Sequence, residues 1–310
     1  MAALRKIFWI LLILLPCLTG CPFANTQHTD EVRLGREYLI QNDLPEAIKC
    51  FTAILGKNPK QISALNGRGE AYIRSGRFEE ARNDFTAALD LFPNDKDARR
   101  GRAESYLGLG KWNDAIEDFN VALQEDPLNT SIRSNRGFAW CRLQEFDKAL
   151  EDLDLCIKEK PVVADFYQNR GTIYQKKKEY EKAIADLSKA IELEPTNPLL
   201  WGIRGKIFAD SGNWDKALKD YTESINKDIN SFYGYKYRGL YYKHKGDWNA
   251  ALLDLNRAID INPKDAETWF ERAGVWHQIK NPVSYKNDLE QAHKLAPHLF
   301  SSPDNFQGSP

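Results

Sequence analysis

From residue 28 to residue 299 the apolar positions fall into pairs of helix-period stripes, and the pairs recur every thirty-four residues without insertion or deletion. Small residues step at that interval: Gly35, Gly69, Ala103, Gly137, Gly171, Gly205, Gly239 and Ala273. Three positions on stands an aromatic, at Tyr38, Tyr72, Tyr106, Trp140, Tyr174, Phe208, Tyr242 and Trp276. Twelve after the small residue come Ala47, Ala81, Ala115, Ala149, Ala183, Ala217 and Ala251, with Tyr285 in the last unit. Four further on the side chain is bulky again: Phe51, Phe85, Phe119, Leu153, Leu187, Tyr221, Leu255 and Leu289.

Two antiparallel helices satisfy this pattern. The small residue and the alanine let the helices approach, and the aromatic and bulky residues fill the space around the crossing. Gly76, Gly110, Gly212 and Gly246 mark the turn inside a unit, and Phe78, Trp112, Phe146, Tyr180, Trp214 and Trp248 open the second helix. Pro59, Pro93, Pro127, Pro161, Pro195, Pro263 and Pro297 close it, with Ile229 in the sixth unit, because proline supplies no N–H and clashes with the preceding turn. One hairpin cannot bury its apolar face alone, so the units must stack. The spacing therefore predicts an all-α superhelix of eight helix–turn–helix repeats, at 28–61, 62–95, 96–129, 130–163, 164–197, 198–231, 232–265 and 266–299. In the last unit His293 replaces the usual Leu or Ile, and Lys286, Asn287, Glu290, Gln291 and Lys294 give its second helix the polar outer side of a cap.

An arginine and an aspartate travel with the repeat. Arg68, Arg102, Arg136, Arg170, Arg204, Arg238 and Arg272 precede the small residue in units two to eight, and Asp84, Asp118, Asp152, Asp186, Asp220, Asp254 and Asp288 precede the bulky one. Unit one has neither, carrying Leu34 and Cys50. Their co-occurrence favours a structural ion pair across each hairpin. Pairing with the next unit, and a row of arginines lining an anion groove, are the alternatives.

With a small residue at position 8, an aromatic at 11, Ala at 20, a bulky residue at 24 and Pro at 32, the unit resembles the tetratricopeptide repeat. The resemblance implies a right-handed superhelical solenoid whose first helices line a concave groove, roughly through positions 2, 5, 6, 9, 12 and 13, that holds a protein or peptide segment. Carried over, these positions are mostly polar in units two to five, among them Ser63, Asn66, Glu70, Asp97, Arg100, Glu104, Asn135 and Asn169. Units six to eight instead bring Leu199, Ile203, Tyr233, Tyr237, Leu240 and Phe270, with Lys206, Lys236 and His244 among them. An apolar patch rimmed by cations is the expected partner-binding surface. Trp201, Tyr235, Tyr242 and Trp269 are expected to pack between units. No consecutive units supply the Lys and Asn set of a chaperone-type carboxylate clamp.

The chain begins with a short basic segment, Met1 to Lys6, and an apolar run from Ile7 to Leu15, shorter than the roughly 20 residues that cross a bilayer. Leu18-Thr19-Gly20-Cys21 resembles the lipobox of bacterial lipoproteins. That resemblance implies a signal peptide over 1–20, acyl chains on Cys21 as a membrane anchor, and a tether over 21–27. Without Asp after the cysteine, the periplasmic face of the outer membrane is favoured if the organism is diderm. An ordinary signal peptide or a lone membrane anchor is the plainer reading. Residues 300–310 read as a flexible tail.

Charge and candidate chemistry narrow the function. Lys plus Arg number 43 against 44 Asp plus Glu, a balance without the basic excess that nucleic-acid binding needs. The five cysteines make no disulfide framework; of Cys141 and Cys156 in unit four, Cys156 takes the place of a small residue and reads as a buried inert thiol, with a redox pair as the alternative. The five histidines show no metal-ligand spacing, and no nucleophile elbow or phosphate loop occurs. The expectation is a non-enzymatic scaffold or adaptor of the bacterial envelope with no catalytic residue, metal or cofactor. The rival is an envelope protein that binds a glycan or lipid head group through Trp and Tyr faces.

Overall fold

The computed structural model describes residues 26–297, with side chains from Glu31 onward; the leader, Cys21, the start of the tether and the 300–310 tail lie outside them. Among the described residues the chain forms sixteen helices and no strand. In pairs these are α1 (Thr26–Ile40) and α2 (Leu44–Lys57), α3 (Ile62–Arg74) and α4 (Phe78–Leu91), α5 (Lys96–Gly108) and α6 (Trp112–Glu125), and α7 (Thr130–Arg142) and α8 (Phe146–Glu159). There follow α9 (Ala164–Lys176) and α10 (Tyr180–Leu193), α11 (Pro198–Asp210) and α12 (Trp214–Lys227), α13 (Phe232–Lys245) and α14 (Trp248–Ile261), and α15 (Ala266–Gln278) and α16 (Pro282–Leu295). From α3 onward every first helix begins at the residue the thirty-four-residue step dictates; α1 alone begins early, at Thr26.

The chain divides into two compact units, one ending at Ala122 and the other starting at Leu123. In the first, α1 packs on α2 and α3 on α4, α2 and α4 lean on the helices that follow them, and α1, α3 and α5 touch in succession. In the second, α7 to α16 pair and lean in the same way, and α7 meets α9, α11 meets α13, and α13 meets α15. Within each unit the first helices thus form one layer and the second helices the other.

Each crossing is built as the small positions require. Ala47, Ala81, Ala149, Ala183, Ala217 and Ala251 are all fully buried. A Cβ on Gly35 would lie 2.6 Å from Phe51, and one on Gly69 2.6 Å from Phe85. The same rings also press on the following repeat, where a Cβ on Gly67 would stand 2.4 Å from Phe51 and one on Gly101 2.3 Å from Phe85. In repeats one and two the phenylalanine at the bulky position is thus flanked by glycine on both sides, whereas Phe119 in repeat three has Ala103 at its small position. In the second unit the bulky residue leaves room for larger neighbours: Ile203 packs on the cluster holding Leu187, and Tyr237 lies 5.8 Å from Tyr221.

Every turn inside a hairpin holds one left-handed residue. Gly76, Gly110, Gly212 and Gly246 take it at φ of 70° to 82°, and Asn42, Gln144, Lys178 and Lys280 occupy the same place at φ of 58° to 64°. The hydrogen bonds that close the turn are the same in both sets, as in Arg77 N–H to Tyr72 O at 2.8 Å and Glu179 N–H to Tyr174 O at 2.9 Å. The turn is set by the helix pair, and the non-glycine residues are held in it at a local cost of about 1 kcal/mol.

Each repeat-specific arginine grips the aspartate of its own hairpin with two hydrogen bonds. In repeat five Arg170 Nε and Nη2 reach the two Asp186 oxygens at 2.8 and 2.7 Å. The same fork joins Arg68 to Asp84, Arg102 to Asp118, Arg136 to Asp152, Arg204 to Asp220, Arg238 to Asp254 and Arg272 to Asp288. In Arg68, Arg170, Arg204 and Arg272 the remaining Nη1 turns to the preceding repeat, where it meets Thr52, Asp154, Ser188 and Asn256 respectively at 2.7 to 3.2 Å. These four arginines thus close their own hairpin and tie it to its neighbour.

Candidate partner-binding face

The fourth position of the repeat sets the edge of the layer of first helices. Its side chain donates to the carbonyl of the proline six residues earlier: Arg133 to Pro127 at 2.8 Å, Tyr167 to Pro161 at 3.1 Å, Trp201 to Pro195 at 3.2 Å and Trp269 to Pro263 at 2.9 Å. Arg99 does the same to Pro93. The ring there also covers the bridging arginine, with Arg204 5.0 Å from the Trp201 centroid and Arg272 4.8 Å from Trp269. Trp201, Tyr235 and Trp269 are half-buried and belong to this framework.

What the framework leaves available differs between the units. In the first, α1, α3 and α5 border a cleft of about 600 Å³ whose lining mixes charged residues, among them Glu70, Asp97, Arg100 and Glu104, with apolar Leu39, Ile40, Ile73 and Phe85. Its charges are mutually engaged: Arg100 lies 3.2 Å from Asp97 and Arg74 3.7 Å from Glu70. Burial raises the Glu104 carboxyl above its ordinary range, Glu70 adds to the rise, and Arg100 opposes it.

In the second unit α11, α13 and α15 present the aromatic stretch. Gly202 on α11 makes the approach possible, since a Cβ there would lie 3.0 Å from Tyr233 Cβ. Tyr233, 40% exposed, stacks on half-buried Tyr237 at 5.9 Å and 27°, and Phe232 meets Tyr233 edge-on at 5.1 Å. Burial pushes the Tyr237 phenol well above its ordinary value, with the Glu267 carboxylate adding to the effect, so the ring is neutral. Leu199, Ile203, Leu240 and Phe270 on the same three helices are half-buried. His244 is exposed and lies flat on Trp214, 4.1 Å between centroids at 14°.

The cationic rim expected around this patch is corrected by the structure. Lys236 is only 3% exposed, and its Nζ donates to Asp265 at 3.0 Å and Glu267 at 2.6 Å. The reason is positional: the fifth residue of a first helix points at the cap of the next one. Asn66 reaches the capping Asp95 in the same way, at 3.2 Å. Burial works against the Lys236 charge, but the two carboxylates outweigh it and hold its pKa above the usual lysine value. Lys206 is paired with Asp210 at 3.0 Å and Lys243 with Glu271 at 2.6 Å. The patch is therefore aromatic with a neutralised border.

Two thiols of repeat four are raised by burial. Cys156, buried, donates to Thr130 O at 3.3 Å, and burial, with nearby Asp152, pushes its thiol up to about 11. Burial likewise raises Cys141. No group of His, Cys, Asp and Glu side chains could hold a metal ion among the described residues. No described helix is long and apolar enough to cross a membrane.

Comparison with known proteins agrees with the geometry. Tetratricopeptide-repeat family models match residues 32–95, 66–130 and 164–197. Among solved structures, the chain is similar to a tetratricopeptide repeat protein from Parabacteroides merdae ATCC 43184, with 19% identity over 81% of this chain and 99% of that one and a TM-score of 0.70. It is similar to yeast Tom70 at 19% identity over 92% of this chain and 64% of that one, TM-score 0.69. Cut9–Hcn1 of the APC/C follows at 16% identity, 82% of this chain and 50% of that one, TM-score 0.60. At these identities the likeness is one of fold. No curated protein sequence matches the chain significantly. Tetratricopeptide repeats are thus detected over residues 32–130 and 164–197, and the other described hairpins share their fold and their thirty-four-residue step.

Proposed function

We propose that this protein is a non-enzymatic scaffold that holds a protein or peptide segment against the first helices of repeats six to eight. The observation that carries the reading is the Tyr233–Tyr237 stack, an exposed ring seated on a half-buried one, on first helices that also carry half-buried Leu199, Ile203, Leu240 and Phe270. Rigid, half-buried aromatics on a face with no charge to spare are the usual anchors of protein recognition. The repeat fold supports a scaffold in general terms. The placement is this reading's own: a lipid on Cys21 tethers the scaffold to the bacterial envelope, at the periplasmic face of the outer membrane in a diderm organism. That placement rests on the lipobox-like Leu18-Thr19-Gly20-Cys21.

A photoreactive residue at Tyr233 should crosslink one predominant protein in cells. Binding of that protein to the purified chain should weaken about tenfold or more in Tyr233→Ala, the loss typical of an interface anchor. Unchanged affinity in Tyr233→Ala removes the site. For the anchor, Cys21→Ser should move the protein from the membrane fraction to the salt-wash supernatant, and full retention on membranes refutes lipidation as the tether.

A further inference from the structure

Four repeats cover the aromatic at position 11 with a cation of their own. Lys148, Lys182 and Lys216 stand at the same place in successive second helices, with Nζ 4.5 Å from the Trp140 ring, 5.2 Å from Tyr174 and 5.5 Å from Phe208. Over Tyr72 the cation is Arg77 at 4.4 Å, held by Glu80 at 2.8 Å. In the last repeat both places have lost their charge: Asn281 replaces the arginine and Ser284 the lysines. Among the described residues no cation lies over Trp276. Tyr242 also lacks such a lysine, with Ala250 at that place, but it is packed into the core with Tyr241 edge-on against it at 5.4 Å.

A cleft of about 770 Å³ opens at Trp276 and Ser284, bordered by Asp260, Asn287, Glu290 and Gln291 and with neither Tyr233 nor Tyr237 in its lining. Arg272, also in its wall, is already taken by Asp288 and Asn256. Glu290 has only a long contact with exposed Lys286, at 3.9 Å, and Asp260 has no ion pair among the described residues. The wall is therefore an indole with negative charge around it and no cation of its own to satisfy either.

We propose that this cleft takes the ammonium of a lysine side chain from a basic peptide segment of a partner. The ring quadrupole attracts a cation, tryptophan most strongly of the aromatics, and the two exposed carboxylates add a modest, salt-screened Coulomb attraction. The repeats themselves show the geometry, since three lysine ammoniums occupy the corresponding space over Trp140, Tyr174 and Phe208. A peptide rather than a free amine fits because the Asn287 and Gln291 amides, without side-chain hydrogen bonds among the described residues, are placed to bond a peptide backbone. The proposal stands apart from the tyrosine face and does not depend on it.

The test uses the full chain labelled with 5-fluorotryptophan and followed by ¹⁹F NMR, with the Trp276 resonance assigned through Trp276→Phe. Acetyl-Lys-Lys-Lys-amide should shift that resonance, and the same peptide with its side-chain amines acetylated should not. Ser284→Lys restores the internal cation, so it should abolish the shift while leaving the thermal midpoint unchanged or raised. Asp260→Asn with Glu290→Gln, a pair of exposed changes, should weaken binding roughly three- to tenfold. A shift that persists in Ser284→Lys overturns the proposal. So does equal binding of the acetylated peptide, or tighter binding of phosphoethanolamine, which would assign the ammonium to a lipid head group.

Discussion

The Arg–Asp fork shows how far a single residue reaches in this chain. Arg170 closes its hairpin through Asp186 and ties it back to Asp154, and the side chain is 20% exposed against 8% for Asp186. Removing the guanidinium leaves a nearly buried carboxylate without its partner, which costs far more than a surface pair is worth. Arg170→Ala should therefore lower unfolding stability by about 2–4 kcal/mol. The exposed control Lys189→Ala should stay within about 0.5 kcal/mol; chemical denaturation of the two side by side checks it, and equal midpoints refute the structural role. The pair was legible because two unlike residues appear and vanish together along one chain. The backward bond was not, because its acceptor is Thr52, Asp154, Ser188 or Asn256, residues alike in accepting a hydrogen bond and in little else. Position four was missed for the same reason: Arg, Tyr and Trp perform one task there by different donors.

At the scale of the element, the hairpin turn was read from its glycines, and four repeats make the same turn without one. Lys178 sits at φ 61° in a turn whose closing bonds match those at Gly76. For a residue with a Cβ that conformation costs about 1–2 kcal/mol, part of which glycine gives back as unfolded-chain entropy. Lys178→Gly should raise stability by about 0.5–1 kcal/mol in thermal or denaturant melts. A loss of stability would mean that Lys178 makes contacts worth more than the strain. The spacing alone located every hairpin, since the helix starts keep the thirty-four-residue step even where the marker residue is missing. It did not locate Lys236, because facing the groove and facing the next helix cap differ by one position around the helix.

At the scale of the molecule, stability comes from neighbour on neighbour, so an end repeat protects the one behind it. In the second unit α15 supplies Glu267, and the residue capping it is Asp265; together they neutralise Lys236, while Leu255 and Val275 share one core cluster. Ending the chain after Lys264 strips Lys236 of both carboxylates and opens that cluster. Such a truncation should lower the melting temperature, by circular dichroism, and increase binding of a hydrophobic dye; an unchanged melt would show that repeat eight is dispensable. The sequence by itself determined the repeat, its phase and the all-α class, because a period preserved over eight units is a record of nearest-neighbour packing; it favoured the pairing of each arginine with the aspartate of its own hairpin, and the structure decided that pairing against the next repeat. Tertiary structure alone decided which charges remain free. A lysine reads as a rim cation until its neighbours thirty residues away in sequence prove to be carboxylates, and a tryptophan reads as packing until the place above its ring proves to be empty of charge. Both depend on contacts between repeats, and those contacts vary exactly where the period is silent.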